Sequence, residues 1–201
     1  MIAIVTGDNI NSREVKPKIW LDILKDYLSK FGIDPKSWQI FKRDSFQFQV
    51  NAGTAFETVL QLKAAIKHIE NLDVRLAIEL GDVTHQAKKI TESNGSAFIN
   101  SDECFDALKK QTLAVKSDFE NFDAVFNTII QFVSFTADNW SIKTAEIIRV
   151  ALENPTTNQV ERAKLLTKKS QSTISAALKR AAFDEIKAVV NLYKSDIKKI
   201  C

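Results

Sequence analysis

The chain has 201 residues, a formal net charge of +3, 45% hydrophobic residues and 26% charged residues. This composition is typical of globular proteins, and the five Gly and three Pro exclude collagen-like and disordered chains. No run of about 18 uncharged apolar residues occurs, so we expect no membrane-spanning helix. The apolar start, Met1 to Val5, lacks a basic region and soon meets Asp8, so we expect no signal peptide. Cys104 and Cys201 are too far apart to indicate a disulfide scaffold, which favours a cytoplasmic location.

Short strands and helices alternate in the first part of the chain. Phe46, Phe48 and Val50 alternate with polar residues, which is the period of a strand. Thr54 followed by Glu57 predicts a capping box at the start of a helix. The predicted elements are a strand at 2–5, a helix at 17–31, strands at 38–41 and 46–50, a helix at 54–69, a strand at 74–80, a helix at 97–110 and a strand at 112–115.

The order of these elements is β-α-β-β-α-β-α-β, and its first six match the split βαβ arrangement of ferredoxin-like palms. We therefore predict an α+β protein with a ferredoxin-like palm domain over residues 1–136. From Asp118 onward the apolar period is helical, which predicts an all-α domain over residues 137–201.

The net charge is divided unevenly between the two predicted domains. Residues 139–201 carry 12 Lys and Arg against 6 Asp and Glu, a net charge of +6, whereas residues 1–138 have a net charge of −3. A basic segment on an acidic body favours a polyanionic partner for that segment. A helical segment with a solvated basic face is the alternative.

Residues 157–181 contain two short apolar stripes separated by a polar turn. The stripes are Val160, Ala163 and Leu166, then Ile174, Ala177, Leu178 and Ala181. This pattern predicts a helix-turn-helix, in which the second helix enters the major groove of DNA. A helical hairpin that packs within the chain or against a second copy is the alternative.

The predicted second helix begins with side chains that can hydrogen-bond to base edges, because Gln pairs with adenine and Ser or Thr with several bases. Lys and Arg in the turn and farther along suit phosphates. The predicted contacts with double-stranded DNA are Lys168, Lys169, Ser170, Gln171, Ser172, Thr173, Lys179 and Arg180. The apolar period continues from Phe183 to Ile197, which favours a homodimer formed through a long last helix.

Two carboxylates converge in the predicted palm. Asp8 follows the first strand and Asp44 lies in the hairpin, and a ferredoxin-like topology brings these points to one edge. Such a pair suits Mg²⁺ or Mn²⁺, which prefer oxygen ligands and bridge to phosphates. Gly7 would let the backbone approach a phosphate closely. The alternative is that each Asp only bonds its own backbone at a turn.

Four segments of the chain, residues 6–14, 42–47, 75–81 and 94–98, resemble motifs of the SatD family. Residues 6–14, Thr-Gly-Asp-Asn-Ile-Asn-Ser-Arg-Glu, resemble its opening GDxxNSRE motif. Residues 42–47 resemble its GDEFQ hairpin, 75–81 its RxGIGxG strand, and 94–98 its GPAF helix entry. The family also ends in a helix-turn-helix, so the resemblance covers nearly the whole chain.

SatD proteins are in turn similar to class III nucleotide cyclases, GGDEF-type diguanylate cyclases and CRISPR polymerase palms. This resemblance implies that Asp8 and Asp44 are metal ligands and catalytic residues. It also implies that a triphosphate lies near the segment from Asn9 through Asn11 to Ser12. Arg43 stands where related hairpins have Gly, and it would either clamp a phosphate or obstruct a nucleotide.

The favoured hypothesis is a cytoplasmic, homodimeric, DNA-binding transcriptional regulator with a cyclase-like domain that senses a nucleotide or a metal. A Mg²⁺- or Mn²⁺-dependent nucleotidyl cyclase or oligonucleotide synthase is the first alternative. A non-catalytic interaction protein is the second.

Overall fold

Five strands form one mixed sheet in the computed structural model, which describes residues 1–166 and 170–200, without the side chains of residues 100–103 and 159. The strands are β1 (Ile2–Ile10), β2 (Trp38–Phe41), β3 (Ser45–Asn51), β4 (Asp73–Gly81) and β5 (Leu113–Lys116). Their order across the sheet is β2-β3-β1-β4-β5. All neighbouring pairs are antiparallel except β4 and β5, which are parallel.

Eight helices accompany the sheet in the described part of the chain. They are α1 (Pro17–Leu28), α2 (Ala55–Lys67), α3 (Ser96–Ala107), α4 (Glu120–Ala137), α5 (Ile142–Glu153), α6 (Gln159–Leu165), α7 (Gln171–Arg180) and α8 (Phe183–Ile200). The predicted mixed α+β class and the predicted order of elements through β5 are confirmed. Among the described helices, none has the length and apolar character needed to cross a membrane.

Strand β1 is longer than predicted, and this changes the position of Asp8. The sequence predicts a strand over residues 2–5, but pairing with β4 continues to Ile10. Because neighbours on both sides complete its backbone hydrogen bonds, the polar end of the strand stays extended. Asp8 therefore lies inside the central strand and not in the loop after it.

Both faces of the sheet are covered, because successive residues of a strand point to opposite faces. Ala3 and Val5 lie in the main core with residues of α1 and α2, and they are fully buried. Ile4 is also fully buried, but it packs against Ala97 of α3. A second small cluster on the α3 side holds Ala77, Cys104 and Leu108.

Helix α2 lies between the sheet and the C-terminal helices. Ten of its thirteen residues are buried, which is expected of a helix with neighbours on every side. Gln61 donates from Nε2 to the carbonyl of Leu152 in α5 at 3.1 Å. The residues on both sides of position 136 thus contribute to one continuous core.

The predicted capping box at the start of α2 is wrong. The Thr54 side chain makes no capping bond to the helix and donates instead to the Asn51 carbonyl. Glu57 pairs with Lys194 of α8 at 2.5 Å. The tertiary ion pair thus takes the carboxylate that the local motif would use.

A buried ion-pair cluster joins α2, β4 and the turn between α4 and α5. Lys63 is fully buried, and its Nζ lies 2.8 Å from both Asp73 Oδ1 and Asp138 Oδ1. Lys67 adds a second cation, 3.0 Å from Asp73 Oδ2. A buried ammonium group needs such partners, because transferring it unpaired from water is very costly.

Helix α4 covers the free edge of β5. The Asn127 side chain accepts a hydrogen bond from the Val115 N–H at 2.9 Å and donates to the Val115 carbonyl at 2.8 Å. An open strand edge can pair with another chain, and the amide group occupies its free backbone groups. These bonds also determine which side of α4 faces outward.

Candidate functional site

Asp8 and Asp44 are neighbours at one end of the sheet. Asp8 lies in β1 directly opposite Ser45 of β3 and Arg75 of β4. Asp44 precedes Ser45 in the hairpin, and its carbonyl accepts a hydrogen bond from the Asn9 N–H at 3.3 Å. The strand pairing thus brings the two predicted carboxylates to one place, here called the sheet-edge site.

Arg75 binds both carboxylate oxygens of Asp8. Its Nε lies 2.9 Å from Oδ1 and its Nη2 lies 2.5 Å from Oδ2. This two-pronged pairing is the strongest geometry between these side chains. The hydrogen bond with Asp8 raises the pKa of Arg75, and the charge of Asp44 acts in the same direction. The sequence motifs do not place Arg75 at the site, because only the register of β4 puts it opposite Asp8.

Asp44 is held by the loop that follows β1. Ser12 donates from its hydroxyl to Asp44 Oδ2. In the hairpin, Lys42 and Arg43 have φ of 46° and 75°, and the Asp44 N–H bonds back to the Lys42 carbonyl at 3.0 Å. This tight turn fixes the backbone of Asp44, so the carboxylate faces Ser12.

The four residues predicted to bind nucleotide differ in accessibility. Arg43 is exposed at the hairpin tip. Asn11 is also exposed, and its Nδ2 donates to the Asn71 carbonyl at 3.3 Å. Ser12 is buried and bonded to Asp44, and Asn9 is buried with no hydrogen-bond partner for its side chain among the described residues. Arg43 and Asn11 are therefore the two that a ligand reaches without rearrangement.

Gly7 has a packing role instead of the expected role beside a phosphate. A Cβ at this position would lie 2.6 Å from Phe46 Cζ and 2.7 Å from Leu76 Cδ2. Both neighbours belong to the main core, and the alternation of β1 puts Asp8 on the opposite face. The glycine thus allows close packing of core side chains on the face away from Asp8.

The sheet-edge site fits a divalent cation only if Arg75 moves. Mg²⁺ is usually bound by one or two carboxylates together with substrate phosphates, and the count of carboxylates here agrees with that. However, Arg75 engages both oxygens of Asp8, and Ser12 engages one oxygen of Asp44. Within the described residues, no group of three or more His, Cys, Asp and Glu side chains could hold a metal ion. As arranged here, the donor set does not fit Mg²⁺ or Mn²⁺.

A second polar surface is formed by α7. Ser170 caps this helix by accepting a hydrogen bond from the Thr173 N–H at 3.2 Å. The apolar side of α7 is buried and consists of Ile174, Ala177 and Leu178. The exposed side, here called the α7 surface, consists of Ser170, Gln171, Ser172, Thr173, Ser175, Ala176, Lys179 and Arg180. Lys168 and Lys169 lie outside the described residues.

Helix α6 differs in part from its predicted packing. Leu166 is buried as predicted, but Val160 is 52% exposed, so the first apolar stripe is wrong at that position. Arg162 is buried instead, with its guanidinium 5.7 Å from the centre of the Phe183 ring. The cation–π contact lets a charged side chain occupy this buried place. No apolar period in the sequence indicates such a contact.

The apolar side of α8 is packed within the chain. Tyr193 is fully buried, with its ring centre 5.6 Å from that of Phe56 and 5.0 Å from that of Phe126. Ile186 and Ile197 of the same face also belong to the main core. This face is therefore not available to a second copy, and the predicted homodimer needs another surface.

Comparison with protein-family models, with curated proteins and with solved structures found no match for this chain. The resemblance to SatD proteins consequently depends on the sequence motifs alone.

Proposed function

We propose that this protein is a DNA-binding transcriptional regulator of the SatD type, with α7 as the helix that enters the major groove. One observation carries the proposal: α7 buries Ile174, Ala177 and Leu178 and leaves exposed a surface that is polar or basic except at Ala176. In a helix-turn-helix the second helix contacts base edges while the first crosses the backbone. The basic balance of residues 139–201 supports the same partner.

The α7 surface has the chemistry that such a helix needs at each end. Gln171, Ser172 and Thr173 lie in its first turn, where side chains reach the floor of the groove. Lys179 and Arg180 lie in its last turn, where they suit phosphates. Base contacts therefore come from one end of α7 and backbone contacts from the other.

We propose that the sheet-edge site is the sensor of this regulator and that it responds to a nucleotide. Arg43 and Asn11 are exposed, the first next to Asp44 in the hairpin and the second just after β1, and Asp8 of β1 is paired with Arg75. A phosphate group competes with Asp8 for the guanidinium, because arginine binds carboxylates and phosphates with the same geometry. Nucleotide binding would thus break the ion pair between Asp8 of β1 and Arg75 of β4.

Selection from a random duplex library tests DNA recognition by the full chain. We expect enrichment of a defined site. The Gln171→Ala variant should lose about 1–3 kcal/mol of preference at one base pair while its preference at other positions persists. As a control, Gln86→Ala changes an exposed glutamine in the loop after β4 and should leave the selected site unchanged. A library that stays random with the wild-type chain would contradict the proposal.

A nucleotidyl cyclase or oligonucleotide synthase dependent on Mg²⁺ or Mn²⁺ is the alternative proposal. It is supported by the adjacency of Asp8 and Asp44, and it requires Arg75 to release Asp8. Incubation with labelled nucleoside triphosphates and Mn²⁺ tests it. Product formed by the wild type but not by an Asp8→Ala/Asp44→Ala variant would favour the enzyme, and no product from either would remove the alternative.

A further inference from the structure

Helix α4 presents an uncharged face that nothing in the described chain covers. Its inner side holds Phe126, Ile130 and Val133 in the core. Its outer side, here called the α4 face, consists of Asn121, Ala124, Val125, Thr128, Gln131, Phe132 and Phe135. Val125 is 61% exposed, Phe132 76% and Phe135 78%. Exposed apolar residues grouped in this way mark interaction surfaces.

We propose that the α4 face is the interface between two copies of this chain, with the two α4 helices packed antiparallel about a twofold axis. In such a dimer the same surface contacts itself, so a charge near the axis would meet an identical charge. None of the residues of the α4 face is charged. In a chain that is 26% charged overall, the α4 face thus has no like charges that would meet near the axis.

The chemistry of the face does not suit the other partner classes. A nucleic acid needs Lys or Arg to contact its phosphates, and the α4 face has neither. The centres of protein–protein interfaces are depleted in charged residues and enriched in aromatic residues. Phe132 and Phe135 match that description.

The two ends of α4 are complementary in an antiparallel pair. Glu120 is exposed at the N-terminal end. At the C-terminal end, a cleft of about 620 Å³ is lined by Phe135, Trp140 and Arg180, among other residues. Antiparallel packing brings Glu120 of one copy toward the arginine-lined end of the other, which adds attraction at both edges of the interface.

The expected dimer is weak. An 18-residue helix is about 27 Å long and about 10 Å wide, so the α4 face contributes a few hundred Å². Stable complexes bury about 800 Å² on each partner. We therefore expect a monomer–dimer equilibrium at micromolar concentrations. Arg180 lines the cleft and is the last residue of α7. Pairing of two α4 helices would therefore fix the distance between the two α7 helices of the dimer. The use of that distance to recognise two half-sites rests on the proposed DNA binding.

Sedimentation equilibrium of the full chain tests the proposal, over about 1 to about 100 μM, the range in which weak complexes form. We expect the wild-type mass to rise from 22.6 kDa toward twice that value. The Phe132→Asp/Phe135→Asp variant should stay at 22.6 kDa throughout, because dimerisation would bury its new charges. Both positions are exposed, so its denaturation midpoint should equal that of the wild type at about 1 μM, where the wild type is still monomeric.

Leu192→Asp is the matched control, since it places the same charge on α8 at a position that is 41% exposed. It should dimerise as the wild type does. A wild-type chain that stays monomeric, or a double variant that still dimerises, would overturn the proposal. A dimer abolished by the double variant in a chain that binds no DNA would support the interface and contradict only the proposed function.

Discussion

The sheet-edge site and the α7 surface both carry polar and charged residues, but they use them in opposite ways. At the sheet-edge site, Asp8 is paired with Arg75 and Asp44 accepts from Ser12. On the α7 surface, Lys179 and Arg180 are exposed to solvent. A ligand at the first site must displace an existing partner, whereas a ligand at the second displaces water and counterions. Charge that is already paired at a sheet end is therefore weaker evidence for ligand binding than charge on an exposed helix.

The largest expected effect is a loss of free energy of unfolding, and it comes from removing a cation of the buried ion-pair cluster that joins α2 and β4. Lys63→Met keeps the length of the side chain but leaves Asp73 and Asp138 without their shared buried cation. Removal of one partner of a fully buried ion pair costs about 3–5 kcal/mol. Because Asp73 keeps Lys67 and the Asp138 side chain is 35% exposed, we expect a loss of about 2–3 kcal/mol here. Guanidinium denaturation should show this loss in the free energy of unfolding. Lys36→Met, at an exposed position, should change it by less than about 0.5 kcal/mol.

An intermediate effect is expected when the Arg75 side chain is shortened and neutralised. Arg75→Gln removes the guanidinium that pairs with Asp8 and leaves Asp8 and Asp44 as neighbouring carboxylates. Two unpaired carboxylates attract a divalent cation, so the variant should bind Mn²⁺ about tenfold or more tightly than the wild type does. Electron paramagnetic resonance of free Mn²⁺ measures this difference. Equal binding by both proteins would mean that Arg75 does not block the site.

The smallest effect concerns a buried thiol on the α3 side of the sheet. Burial raises the pKa of Cys104, and the nearby charge of Glu79 adds to the shift. In the folded chain Cys104 should react with iodoacetamide far more slowly than in guanidinium, because little thiolate forms. Mass spectrometry of peptides separates it from Cys201.

The same shift determines the direction of a pH effect on stability. The folded state favours the protonated thiol, so its contribution is complete below the unfolded pKa of about 8.5 and declines as the pH rises above it. Cys104→Ala should therefore flatten the loss of stability between about pH 8 and about pH 9.5. An unchanged slope in the variant would show that other groups cause the loss.

The sequence predicts the order of strands and helices well because apolar residues recur with a clear period within most of them. Phe46, Phe48 and Val50 alternate clearly, and β3 follows that pattern. Helix caps and strand ends are less predictable, since tertiary contacts decide them. Glu57 pairs with Lys194, far along the chain, and this pairing replaces the local capping box.

The sequence predicts where the candidate site lies, but it does not predict which side chains pair with the two carboxylates. The topology suffices to bring Asp8 and Asp44 together, because β1 and the hairpin share one end of the sheet. The partner of Asp8 depends on the register between β1 and β4, and a shift of one residue would move Arg75 to the other face. No sequence period specifies that register.

The central claim, that the α7 surface binds DNA, is tested most directly by the salt dependence of binding to a duplex. Fluorescence anisotropy measures duplex binding by the wild type and by Lys179→Gln/Arg180→Gln. The matched control is Lys16→Gln/Lys18→Gln, which removes two exposed cations near the start of α1. Each lost phosphate contact lowers the slope of log affinity against log salt by about 0.9. We predict a slope lower by about 1.8 for Lys179→Gln/Arg180→Gln and an unchanged slope for the control. Equal slopes for all three proteins, or no binding by the wild type at low salt, would contradict the account.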